Sequence, residues 1–174
     1  MKKINIYLVA NEQELIKDEK EISNFIRDLN DKYEEYNIYF KLVTDENVEE
    51  IKKAEIQNSE LFFILFYKEI DNNTINKFNI AYQSFKNTKM PKISTYVKKS
   101  EEQAGQSVIN FMQKLDQELG HYYNIYENID TIKLNIILHL QALGLKVRQS
   151  KKRRWKIIYR RKRNNVIRKN TYNF

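Results

Sequence analysis

With 174 residues, no cysteine, three glycines and one proline, the chain has the length of a single domain and excludes disulfides, thiolate chemistry and cysteine-based zinc sites. Apolar residues make up 41% and charged residues 31%, no apolar run approaches about 18 residues and no signal-peptide pattern opens the chain, so an ordered cytoplasmic protein without a transmembrane segment is expected. The net charge of +8 is unevenly held: twelve Lys or Arg and no Asp or Glu stand from Arg148 onward, leaving 19 basic and 23 acidic residues, net −4, before them.

Lys2 to Val9 reads as a strand through Ile4, Ile6 and Leu8, and Ala10-Asn11-Glu12 turns the chain. Asn11 with Glu14 three residues later has the spacing of a capping box. The helix it predicts carries Leu15, Ile22, Ile26, Leu29 and Tyr33 as one apolar stripe. Ile38 to Thr44 is a second strand, followed by a short helix with Val48, Ile51 and Ala54 inward. Leu61 to Tyr67 is an unbroken run of seven apolar or aromatic residues. A strand with one wet face would alternate, so this run is a strand buried on both faces, at the centre of a parallel sheet.

After the polar loop from Lys68 to Asn73, a helix from about Thr74 turns Phe78, Ala81, Tyr82 and Phe85 inward. Pro91 stands ahead of a strand from Lys92 to Lys98, where a proline costs no ladder bond. A helix from Glu101 to Leu119 with Val108, Met112, Leu115 and Leu119 inward ends at Gly120 as its left-handed cap. Tyr122 to Tyr126 is a short edge strand, and a last helix from Asp130 to Leu143 buries Ile132, Ile136, Leu140 and Leu143 before Gly144. The βαβαβαβαβα order predicts an α/β fold of three layers, with a five-stranded parallel sheet in the order 2-1-3-4-5 over residues 1–146 and a basic tail over 147–174.

Ligands of such sheets sit beyond the carboxyl ends of the strands at the switch point, here between the first and third strands. The lining predicted there is Ala10, Asn11, Glu12, Thr44, Lys68 and Lys77 as ligand contacts, with Glu69 and Asp71 as candidate catalytic carboxylates. Glu69 ranks first because it follows the buried strand directly. There is no glycine-rich phosphate loop and no nucleophile elbow, which leaves P-loop, Rossmann dehydrogenase and α/β-hydrolase readings unsupported. His121 and His139, the only histidines, have no metal-ligand spacing and read as a turn residue and a satisfied half-buried residue, so no metal is expected.

Ala10-Asn11-Glu12-Gln13-Glu14-Leu15 after the first strand resembles the opening of the TIR-like domains of bacterial defence and STAND-type signalling proteins. Asn58-Ser59-Glu60 leading into the Leu61–Tyr67 run resembles their third strand, and Phe78, Ala81 and Tyr82 before Met90-Pro91-Lys92-Ile93 their third helix and following strand. The likeness spans residues 2–145. It implies a flavodoxin-like sheet, self-association or pairing with another TIR-like domain, and in many members cleavage of NAD, a substrate and not a cofactor. Active members carry a glutamate on the third helix, near the aromatic residue that Phe78 matches. Here Ile75, Asn76, Lys77 and Asn79 stand around that position, and no carboxylate lies between Thr74 and Lys89. A carboxylate there would stabilise an oxocarbenium-like ribosyl cation, whereas a lysine opposes it. The expectation is therefore a signalling or assembly module, the alternative an NAD nucleosidase using Glu69 or Asp71, with Asn11 as a ribose or nicotinamide contact.

The basic tail contains Lys151, Lys152, Arg153, Arg154, Trp155, Arg160 and Arg161. As a helix it would set Trp155, Ile158, Tyr159 and Val166 on one face, suited to an anionic membrane surface, a partner helix or nucleic acid. A merely solvating tail fits the same composition.

Overall fold

The computed structural model describes residues 1–10, 13–44, 53–100 and 102–145. Its centre is β3 (Leu61–Phe66), whose six side chains are all buried, because the apolar run meets helices on both sides of the sheet. Leu61, Phe63 and Leu65 pack with helices α1 (Ile16–Tyr33) and α5 (Ile129–Ala142). Phe62, Ile64 and Phe66 pack with α2 (Lys53–Gln57), α3 (Asn72–Thr88) and α4 (Gln106–Gln113). Strands β1 (Lys2–Val9), β2 (Ile38–Val43), β4 (Lys92–Lys98) and β5 (Tyr123–Tyr126) complete a five-stranded parallel sheet in the order β2-β1-β3-β4-β5. The predicted three-layer architecture is therefore present, and it is the flavodoxin-like sheet that the resemblance to TIR-like domains implied.

Several boundaries differ from expectation for local reasons. Asn11 lies outside the described residues, and the first helix begins with a 3₁₀ turn, Gln13–Leu15, after which α1 has Leu15 at its N-cap without a side-chain cap bond. In α2 it is Ile56 that is buried and Ala54 that faces solvent, while Val48 and Ile51 lie outside the described residues. The fourth helix starts at Gln106, not Glu101, and its last stretch relaxes into a π-helical turn, Lys114–Glu118. Gly120 and Gly144 take positive φ values of 58° and 81° as predicted helix ends. At Gly144 the N–H donates to Gln141 O and that of Leu145 to Leu140 O, the paired bonds of a Schellman motif. Among the described residues no helix is long and apolar enough to cross a membrane.

Lys98, Asp18 and Tyr126 tie the carboxyl ends of the strands to α1. Asp18, 8% exposed, accepts from Tyr126 Oη at 2.8 Å and Lys98 Nζ at 2.9 Å, and Lys98 also donates to Glu14 O at 3.1 Å. Both a cation and a hydroxyl thus satisfy a carboxylate that is otherwise buried.

Candidate functional site

The register places the site. Val9, the last residue of β1, pairs with Ile64, whereas β3 runs on to Phe66, which pairs with Val97. β1 therefore stops two residues short of its neighbour, a step of roughly 7 Å at strand geometry. From that step the chain leaves β1 toward α1 on one face and leaves β3 toward α3 on the other. The opening between them is a cleft of about 790 Å³.

Its walls come from three loops. Gln13 and Glu14 stand on the β1 side, Lys68 to Asp71 with Thr74 form the centre, and Gly105, Gln106 and Ser107 close it at the start of α4. The central loop is pinned to that third wall by two hydrogen bonds: Gly105 N–H donates to Lys68 O at 2.9 Å, and Ile70 N–H donates to Ser107 Oγ at 3.2 Å. The approach admits only glycine, since a Cβ on Gly105 would lie 2.5 Å from Lys68 O.

Of the predicted residues, Glu69, Asp71 and Lys68 line the cleft. Asp71 is the N-cap of α3, its Oδ1 accepting from Thr74 N–H at 2.6 Å, which commits one carboxylate oxygen to the helix. Lys68 pairs with Glu102 at 2.8 Å and lies 5.1 Å from the Tyr67 ring centroid; the hydrogen bond to Glu102 holds its pKa above the ordinary lysine value. Lys77 does not line the cleft: it is 2% exposed beside Phe78 on the buried face of α3, because the helix turns that position toward the sheet. Ala10 belongs to the core, and Thr44, beyond the end of β2, is likewise not a cleft residue. Asn11, Glu12 and the tail residues from Lys151 to Arg161 lie outside the described residues.

Glu14 is a third cleft carboxylate that sequence reasoning placed only in a helix cap, and the Gly105-Gln106-Ser107 wall was not anticipated. Gly105 was the available signal. One of only three glycines, it stands in the connection after β4, where a loop would reach the switch point.

The two histidines clamp β4 from opposite layers. His121 Nε2 lies 2.9 Å from Thr95 Oγ1 beside the Phe78 ring, and His139 Nε2 lies 2.8 Å from Ser94 Oγ beside Phe63. Burial lowers the pKa of both rings, and for His139 the charge of Lys92 adds to it. They satisfy buried hydroxyls and are not part of the cleft.

A doubly wound parallel sheet with a cleft at its switch point defines the class of protein here. The chain is similar in structure to the TIR domain heterodimer of RPS4 and RRS1, at 11% identity and a TM-score of 0.47, over 81% of this chain and 97% of that one. It is also similar to the Clostridium botulinum CMP N-glycosidase BcmB, at 16% identity and a TM-score of 0.45, over 77% of this chain and 98% of that one. No family model and no curated protein matches the sequence.

Proposed function

We propose that the chain is a cytoplasmic TIR-like signalling module of the bacterial-defence kind, acting through contacts of its folded domain with itself or another TIR-like domain. The observation that carries this reading is the α3 wall. From Thr74 to Lys89 it bears no carboxylate, the residue beside Phe78 is the buried Lys77, and the Asp71 carboxylate already caps the helix. A ribosyl cation developing against that wall would find no carboxylate from the helix itself to stabilise it. Leu134 and Leu138, one turn apart on α5 and both exposed, favour association. The test is incubation of the full chain with NAD, with nicotinamide release followed by chromatography and association by sedimentation. No release above buffer and concentration-dependent association are the expected outcomes.

A nucleosidase reading draws on Glu69 and Asp71 lining a cleft of about 790 Å³. In that reaction the bond from ribose C1′ to the nicotinamide nitrogen breaks and its electron pair leaves with neutral nicotinamide. Glu69 stabilises the ribosyl cation, and water adds at C1′ and gives up a proton. Release of nicotinamide that disappears in Glu69→Gln promotes this reading over the first.

A further inference from the structure

The cations of the folded domain are as unevenly spread as those of the whole chain. Residues 72–100 hold six lysines and no Asp or Glu. Lys77 is buried, Lys98 pairs with Asp18 and Lys99 with Glu127. Lys86, Lys89 and Lys92 remain, all exposed and, among the described residues, without a carboxylate partner.

These three gather at one corner. Lys86 Nζ lies 5.6 Å from the Tyr82 ring centroid, while Lys89 Nζ and Lys92 Nζ lie 5.8 and 5.7 Å from that of Phe85. The Tyr82 ring is fixed from behind: it stacks on Phe78 and donates its hydroxyl to Leu119 O at 3.0 Å. Because α3 runs antiparallel to the strands, the corner is at the amino end of the sheet, opposite the cleft. The last turn of α5 reaches the same place, since His139 meets Ser94, two residues along β4 from Lys92. Leu145, the last described residue, lies one turn beyond, and the twelve Lys and Arg from Arg148 onward follow it in sequence.

We propose that this corner, Lys86, Lys89 and Lys92 over the rings of Tyr82 and Phe85, is a backbone-binding surface for single-stranded nucleic acid. Clustered ammonium groups take phosphates, and half-exposed aromatic rings among them, Tyr82 firmly held, suit the sequence-tolerant stacking of unpaired bases. An anionic lipid surface fits less well. The exposed residues from 83 to 92 are Gln83, Lys86, Asn87, Thr88, Lys89 and Lys92, and the half-buried Phe85 and Met90 among them do not project far enough to insert into lipid. The surface leaves the cleft uncovered, so a bound strand and cleft chemistry are compatible.

The test uses the full chain and a fluorescein-labelled oligo(dT) 20-mer, with anisotropy titrations between about 50 and 300 mM KCl. In the triple variant Lys86→Gln, Lys89→Gln, Lys92→Gln, the slope of log affinity against log salt shrinks by about 2, at roughly 0.7 per lost phosphate contact, and affinity near 0.15 M salt falls on the order of 10- to 100-fold. The corresponding triple Arg variant keeps the wild-type slope, which separates lost charge from a disturbed fold. Absence of oligonucleotide binding by the wild type overturns the proposal, as does a Gln variant with unchanged slope, which would assign binding to the residues after Arg148 alone. Lysine-dependent binding of phosphatidylserine vesicles with lysine-independent oligonucleotide binding overturns it in favour of a membrane surface.

Discussion

Gly105 meets Lys68 O so closely that the central loop of the cleft depends on its missing side chain. Its φ of −64° suits any residue, so the cost of Gly105→Ala is steric and not conformational. Something in the backbone must give, and the Gly105 N–H to Lys68 O bond is the first candidate. A loss of about 1–3 kcal/mol in urea unfolding is expected, together with displacement of Lys68 and Glu69 from the cleft wall. Unchanged stability in Gly105→Ala would show that the loops separate readily. Lys77 teaches the complementary lesson, since its position near the switch point reads as a ligand contact and only the phase of α3 puts it against the sheet.

Among the elements, β3 was legible because burial on both faces writes a continuous apolar run, and its short length and aromatic content mark it as a strand and not a buried helix. Phe63 lies in the core with α1 and α5, stacked on Tyr96 and edge-on to His139. Phe63→Ala is accordingly expected to destabilise by about 3–5 kcal/mol in denaturant titration, since the surrounding sheet cannot collapse into the void. A cost under about 1 kcal/mol would contradict burial of that side chain. The start of α4 was not legible. Gly105 is the one helix-breaking residue in the stretch before it, and its long-range contact with Lys68 overrides the helical preference of Glu102, Gln103 and Ala104.

At the scale of the whole molecule, one strand couples the two helical layers. β4 presents Ser94 toward α5 and Thr95 toward the opposite side, and each hydroxyl meets a histidine whose pKa is lowered by burial. A folded-state pKa below the unfolded value of 6.5 means that protons bind the unfolded chain more tightly. Stability from the two rings is therefore complete above pH 6.5 and is lost as pH falls below it, through the lowered folded values. The thermal midpoint is expected to drop between pH 7 and about pH 5, with part of that drop absent in His121→Gln, His139→Gln. Equal pH dependence in the double variant would remove the histidines from the account.

The sequence by itself determined the layers, the strand order and the segregation of charge, because hydrophobic periodicity records which face of each element is buried and net charge is a sum over residues. Only the tertiary structure decided which groups meet: Gly105 with Lys68, each histidine with its hydroxyl, and three lysines left at one corner. Burial is a local property that a pattern can carry. Partnership depends on residues tens of positions apart arriving at the same point, and no spacing within one element encodes that.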